Sequence, residues 1–308
     1  MYKNDKKINK VLLPLDGSTF SEIASIYAPD LVRNQDVELT LLRVLVPESR
    51  RSLEEELDYL DNQVKTINAA IGVQIESGAL KPKIKKELVA GHPESKILRY
   101  IKNKNVDLII MATHGRSGIS KLLMGSVANR VVRSSKIPVL LFKPRKGKGK
   151  GQDTIVTRKV IIPLDGSKLG DSVVSFVQTF ISQFGNEHSE IILLSVCEPS
   201  PIKSGRSVVI SEAAEAATSK AFKRGVEAEQ YLSKLARSVR NDGFNVTTEI
   251  VIGDPAEKIN KQARKHGVDL IAMATHGRSG ITRMAYGSVA EAVINRAKTP
   301  ILLLRPRQ

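Results

Sequence analysis

The sequence holds no tryptophan and a single cysteine, and aromatic residues make up only 4% of its 308 positions. So few rings argue against the stacking platforms on which nucleic-acid bases lie. The lone thiol, Cys197, excludes an intramolecular disulfide framework and any zinc or iron–sulfur centre built on clustered cysteines. No apolar run approaches the roughly 18 residues that a membrane-crossing helix needs. The stretch from Met1 to Lys7 leads into the short apolar run Val11–Leu15, closed by Asp16, which is too short for a signal-peptide core. The expectation is a soluble, cytoplasmic protein without a membrane span.

What is present is globular. Hydrophobic residues are 41% and charged residues 26%. At about 150 residues per domain, the length is a prior of two domains. Lys plus Arg is 48 against 32 for Asp plus Glu, a net charge of +16. The excess is unevenly placed: residues 1–100 and 151–277 each hold 15 basic and 15 acidic side chains. Residues 101–150 hold 12 basic and one acidic, and 278–308 hold six and one. Either segment would attract anions. Lys143, Arg145, Lys146, Lys148 and Lys150 alternate with Gly147, Gly149 and Gly151 at the end of the first segment. That composition reads as a solvated linker. Contact with nucleic acid or an anionic membrane surface through the same run is the alternative.

The chain is a duplication. Residues 112–142 and 274–304 match at 17 of 31 positions without a gap, at an offset of 162. Gly91–Ile97 faces Gly253–Ile259 at that offset, whereas Leu12–Ser18 faces Ile161–Ser167 at 149. The missing 13 residues must be inserted partly before Leu41 and Leu193 and partly in the long helical stretch near Ser211–Arg240. The division expected is 1–145, a basic linker over 146–157, and 158–308. Short apolar runs predict strands at Val11–Leu15, Glu38–Val46, Lys83–Ala90, Val106–Ala112 and Pro138–Phe142. The second copy repeats them at Val160–Leu164, Ile191–Val196, Asn245–Ile252, Asp269–Ala274 and Pro300–Leu304. Leu53, Leu57, Leu60, Val64 and Ile67 predict the buried stripe of a helix, and further helices are expected from Pro93 to Lys102 and from Gly125 to Ser135. Ser18 or Thr19 is the expected cap of the helix after the first strand. Strands alternating with crossover helices predict an α/β class with parallel sheets covered on both faces. Ligands of such sheets bind beyond the strand C-termini where the strand order reverses.

Two clusters fall at those ends in each copy. One holds Pro14 and Asp16, or Pro163 and Asp165. The other leaves a strand through Thr113-His114-Gly115-Arg116-Ser117-Gly118 and enters a helix at Gly125-Ser126-Val127. In the second copy these are Thr275-His276-Gly277-Arg278-Ser279-Gly280 and Gly287-Ser288-Val289. Glycines let backbone N–H groups approach an anion, and a helix start offers free N–H groups with the positive end of its dipole. A plain turn explains one such loop. Two near-identical loops in otherwise divergent sequence favour an anion site, because a plain turn tolerates many sequences. Asp16 and Asp165 suit a Mg²⁺ or Mn²⁺ shared with phosphates, or simple Asx turns. No Ser-His-Asp order or nucleophile elbow accompanies His114 and His276, which read as loop histidines, so no catalytic residue is assigned. Arg116 and Arg278 pair with phosphate or are solvated. Cys197 reads as a small buried residue at a strand end.

The loop is neither a P-loop nor a dinucleotide fingerprint. It resembles the nucleotide-binding signature of the universal stress protein family, in tandem form: G-x2-G-x9-G-[ST] after a strand. Here that signature stands as Ala112-Thr113-His114-Gly115, nine residues, Gly125-Ser126, and as Ala274-Thr275-His276-Gly277, nine residues, Gly287-Ser288. Alanine replaces the first glycine in both copies. The resemblance implies two Rossmann-like (adenine nucleotide alpha hydrolase-like) domains, each a five-stranded parallel sheet of order 3-2-1-4-5, binding ATP. Pro14 and Asp16 would then lie near the ribose and phosphates, with Val44 offering backbone groups to the adenine. Ala112 through Gly118 would wrap the ribose and phosphates, with Gly125, Ser126 and Val127 at the phosphate tail. Pro163, Asp165, Val196, Ala274 through Gly280, Gly287, Ser288 and Val289 would do the same in the second copy. The resemblance also implies pairing through the last strands, either between the two copies as a pseudo-twofold or in a homodimer. The expected function is a stress-response protein regulated by bound adenine nucleotide. A slow ATPase, or a nucleotide-free interaction protein using the basic segments, is the alternative.

Overall fold

The computed structural model describes residues 7–32, 36–47, 51–71, 83–113, 124–143, 158–185, 188–198, 210–275 and 287–305. The first half runs β1 (Lys10–Leu15), α1 (Thr19–Ile26), α2 (Ala28–Val32), β2 (Glu38–Leu45), α3 (Leu53–Ile71) and β3 (Lys83–Ala90). It continues with α4 (Pro93–Lys104), β4 (Leu108–Ala112), α5 (Ser126–Ser134) and β5 (Val139–Phe142). The second half runs β6 (Lys159–Leu164), α6 (Lys168–Phe184), β7 (Glu190–Cys197), α7 (Ile210–Asn241) and β8 (Asn245–Ile252). It ends with α8 (Pro255–Lys265), β9 (Leu270–Ala274), α9 (Ser288–Arg296) and β10 (Ile301–Leu304). The repeat offset is 149 at β1 and β6, 152 at β2 and β7, and 162 at β3 and β8. The insertion is therefore split as the sequence requires, most of it between the second and third strands, where α7 spans 32 residues against 19 in α3.

Each half is an α/β Rossmann-like domain whose parallel strands run in the order 3-2-1-4-5. The central strands are apolar on both faces because helices cover both, and β4 is buried throughout. The outer strand β3 is amphipathic, with Lys83, Lys85 and Lys86 on a strand that would otherwise invite edge pairing. The two halves share one ten-stranded sheet. Its one antiparallel step is β5 against β10, with Val139 opposite Leu303, Leu140 opposite Leu302 and Leu141 opposite Ile301. One apolar core lies on each face of that sheet, and each core draws residues from both halves. Residues 144–157, which contain the expected linker, lie outside the described residues.

Three local expectations change. A single helix was expected between β1 and β2, but the chain turns at Tyr27 into a second short helix, and the Tyr27 ring stacks on Phe142 at 3.9 Å. The fourth strand starts at Leu108 and not at Val106. Asn105 closes α4 in the left-handed region (φ 54°), and the Val106 N–H still bonds back to Ile101. The stripe of α3 is rotated from the expected one. Leu53 and Leu57 are 61% and 40% exposed, while Glu56 is fully buried in line with Leu60, Ile67 and Ile71. The reason is an ion pair with Arg43, described below.

Candidate functional site

Strand order reverses between β1 and β4, because the crossover after β1 leads to β2 on one side and α4 leads to β4 on the other. A crevice opens there at the strand C-termini, as open α/β sheets require. It holds a cleft of about 250 Å³ lined by Pro14, Asp16, Val44, Ala112, Thr113, Gly125, Ser126 and Val127, together with Ser21, Arg43, Ile97 and Met111. The equivalent crevice of the second half holds a cleft of about 500 Å³. Pro163, Asp165, Val196, Ala274, Thr275, Gly287, Ser288 and Val289 line it. Segments widely separated in sequence thus converge twice on the same arrangement. His114 through Gly118 and His276 through Gly280 lie outside the described residues.

The turn after β1 is an Asx turn. Asp16 Oδ1 accepts the Ser18 N–H at 3.0 Å and the Ser18 hydroxyl at 2.6 Å, and Gly17 takes φ 77°, where glycine is favoured. Asp165 Oδ1 accepts the Ser167 N–H at 3.0 Å, with Gly166 at φ 78°. Ser18 and Ser167 then cap α1 and α6, accepting the N–H groups of Ser21 and Gly170. The turn reading of the aspartates is therefore realised, and the same carboxylates stand at the cleft.

The second cluster returns to the strand it left. Thr113 N–H bonds to the Phe142 carbonyl at 2.9 Å, and Gly125 N–H bonds to the Thr113 carbonyl at 2.8 Å. Thr275 to Leu304 (2.8 Å) and Gly287 to Thr275 (2.7 Å) reproduce both. These bonds bring the starts of α5 and α9 to the strand ends. Gly125 and Gly287 are the N-caps, without a side-chain cap, and Ser126 and Ser288 are the first helical residues. A serine cap is thus not the role of Ser126. The first backbone N–H groups of a helix have no intrahelical acceptor, and the residues that open these two helices, Ser126 and Val127, Ser288 and Val289, line the clefts. At φ −59° and −69° the two glycines are not needed for an unusual backbone, and a Cβ at Gly287 would meet the Thr275 carbonyl at an ordinary 3.6 Å.

Residues beyond the expected set also line the clefts. Arg43 is 3% exposed within the buried run Leu39–Val44, and a charge in such a run was the signal for it. Cys197 is buried, as expected, and lines the second cleft. Behind the first cleft, burial and then the negative charge of Glu22 push the Tyr59 phenol up, so it stays neutral. Among the described residues, no helix is long and apolar enough to cross a membrane, and no three His, Cys, Asp or Glu side chains cluster as metal ligands.

Comparisons with known proteins agree with this duplication. The model of the universal stress protein family matches residues 7–143 and again 157–305. A universal stress protein of Mycobacterium tuberculosis is 22% identical over 317 residues, covering 97% of this chain and 98% of its own. One from Methanocaldococcus jannaschii is 28% identical over 160 residues, which is 49% of this chain and 97% of that protein. The crystal structure of a universal stress protein from Archaeoglobus fulgidus shares the fold with a TM-score of 0.62 at 22% identity. It covers 97% of this chain and 99% of that one. With both halves matched and a full-length relative of the same tandem build, the chain belongs to the universal stress protein family.

Proposed function

We propose that each domain binds ATP at its strand C-termini and that the protein is a nucleotide-dependent regulatory module of the stress response. The observation that carries this reading is the repeated convergence of an Asx turn, an apolar strand-end wall and a helix start without a side-chain cap on one crevice. Pro14, Asp16, Val44, Ala112, Thr113, Gly125, Ser126 and Val127 serve the first nucleotide. Pro163, Asp165, Val196, Ala274, Thr275, Gly287, Ser288 and Val289 serve the second. The loops His114–Gly118 and His276–Gly280 complete the phosphate cradle in this proposal. Ala112 and Ala274 line the clefts at the position where the signature has its first glycine. The chemistry also fits a divalent cation. Each cleft offers one carboxylate, Asp16 or Asp165, and Mg²⁺ or Mn²⁺ takes its other ligands from phosphate oxygens and water.

The domain division 1–145, 146–157 and 158–308 and the pairing of the two domains as a regulatory unit belong to the same proposal. Calorimetry of the full chain with Mg-ATP at near-physiological salt is its test. About two sites per chain are expected, with a rise in thermal midpoint. No heat and no thermal shift at millimolar nucleotide would sink the reading.

A further inference from the structure

The helices divide between the two faces of the sheet, and the charge divides with them. One core draws on α1, α2, α3, α6 and α7, and the other on α4, α5, α8 and α9. The four helices of the second face hold eleven basic residues and three acidic ones. On the first face, the described side chains of the five helices hold seven basic and ten acidic. On the second face α4 packs against α5 and α8 against α9, and Lys143 and Arg305 tie the two pairs together across the β5–β10 step.

The duplication repeats the cations position by position. At the offset of 162, Lys96, Arg99 and Lys102 recur as Lys258, Lys261 and Arg264, and Lys136 recurs as Lys298. Lys96 and Lys258 are half-buried and the other six are exposed, as are Arg130 and Arg133 on α5. A favourable helix dipole explains cations in a last turn, such as Lys102 and Arg264, but not Lys96, Arg99, Lys258 or Lys261. Elsewhere on the surface lysines find carboxylates, as Lys85 does on Glu38 and Lys86 on Asp61. Among the described residues, no ion pair engages Arg99, Lys102, Arg130, Lys136, Lys261 or Arg264. Like charges gathered on one face repel one another, and a polyanion laid on them relieves that repulsion.

We infer that this face binds double-stranded nucleic acid through its phosphates, without reading base sequence. The chemistry of the face selects that partner. Among the described residues, the exposed large apolar side chains are Ile26, Leu53, Leu57, Phe222, Val226 and Ile252, and none stands on these four helices. A membrane surface would be gripped by an apolar helix face, and a protein partner by an apolar or aromatic anchor. Single strands are held by stacked rings. The one ring on the four helices, Tyr100, is half-buried with its hydroxyl on Glu87 at 3.4 Å. Lys and Arg without apolar neighbours fit a duplex backbone, whose charge is dense and whose phosphates are bound without base contacts. The inference stands apart from the nucleotide reading, because none of these cations lines either cleft.

The test is fluorescence anisotropy of the full chain with an end-labelled, mixed-sequence duplex DNA of about three helical turns. A Kd of about 1–100 μM at physiological salt is expected, with log K falling against log salt at a slope of about −4 or steeper. Arg99→Gln, Lys102→Gln, Lys261→Gln and Arg264→Gln together should weaken binding by about tenfold or more and flatten the slope by about 3. The matching loss of charge on the other face, Lys65→Gln with Lys223→Gln, Lys234→Gln and Arg237→Gln, should leave affinity within about twofold. Should the first variant not fold, acetylation of the unaltered protein gives a second readout. The duplex is expected to shield Lys102 and Lys261 and to leave Lys65 and Lys234 reactive. No binding at low salt, equal losses in the two variants, or equal shielding on both faces would overturn the inference. So would tighter binding to phosphatidylserine vesicles than to the duplex, which would make the face a membrane surface. Calorimetry with Mg-ATP on the first variant should match the parent, so the duplex reading and the nucleotide reading fail separately.

Discussion

Arg43 and Glu56 are at most 3% exposed, and their two short bonds offset the cost of taking both charges out of water. Removing Glu56 leaves the Arg43 guanidinium buried without a carboxylate, whereas Glu56 also has Arg51 Nη1 at 4.0 Å. Glu56→Ala is expected to lower the unfolding free energy by about 3 kcal/mol, whereas Arg43→Leu with Glu56→Leu should cost far less. Urea midpoints of the three proteins decide this, and a Glu56→Ala variant as stable as the parent would mean that water reaches the pair. At the outer strand β8 a second carboxylate titrates in reach of solvent. Burial works to raise the Glu249 carboxyl, but bonds from Lys265 at 3.0 Å and His266 at 2.8 Å outweigh it and hold it below the usual range. A carboxyl held lower when folded than when unfolded adds stability above its unfolded pKa of about 4.3, and that stability is lost as pH falls through the folded value. Glu249→Gln should therefore lower stability near pH 6 by under about 1 kcal/mol, given solvent screening, and the gap to the parent should narrow as pH falls below about 4.3. A gap that persists undiminished at pH 3 would assign the effect to packing.

At the scale of elements, α5 and α9 matter through their first turns. Valine at Gly125 and Gly287 is compatible with the observed φ, and a Cβ at Gly287 meets only the Thr275 carbonyl, at an ordinary 3.6 Å. The branched methyl groups would instead crowd the anion. The double variant should stay folded by circular dichroism and lose on the order of 2 kcal/mol of ATP affinity, with adenosine affected much less. Parent-like ATP binding by the folded variant would reduce both loops to turns. These helix starts were legible in the sequence because a repeated signature marked them, and the strands were legible because doubly covered strands are apolar end to end. Lys83–Ala90 and Asn245–Ile252 coincide with the observed β3 and β8. The break between α1 and α2 does have a sequence signal, Pro29 in the first turn of α2, which has no N–H with which to continue α1. The rotated face of α3 was not legible. Glu56 reads as solvent-exposed until the register of β1 with β2 brings Arg43 beneath it.

For the whole molecule, the junction between β5 and β10 makes two domains into one sheet. Lys143 Nζ donates to the Asn295 carbonyl at 2.9 Å in the last turn of α9, and Arg305 donates to the Arg133 carbonyl in the last turn of α5. Each half thus places a cation on the C-terminal end of the helix whose other end faces the partner half's own cleft. Burial lowers the Lys143 pKa, so its ammonium is held at some cost in the folded state. Gln183 closes a third link, accepting the Ile8 N–H at 2.8 Å and donating to the Ile8 carbonyl at 2.6 Å. With both apolar cores crossing the junction, the two halves should unfold as a unit, and the amides of β5 and β10 should exchange only through global opening. Leu302 is fully buried opposite Leu140, so Leu302→Asp puts a charge where nothing compensates it. That single change in the second domain is expected to strip protection from Val139–Phe142 in the first as well as from its own strand, and to lower the midpoint of a single urea transition shared by both halves. If hydrogen exchange instead shows β5 still protected in Leu302→Asp, the halves are stable independently and the antiparallel step is a contact between finished domains.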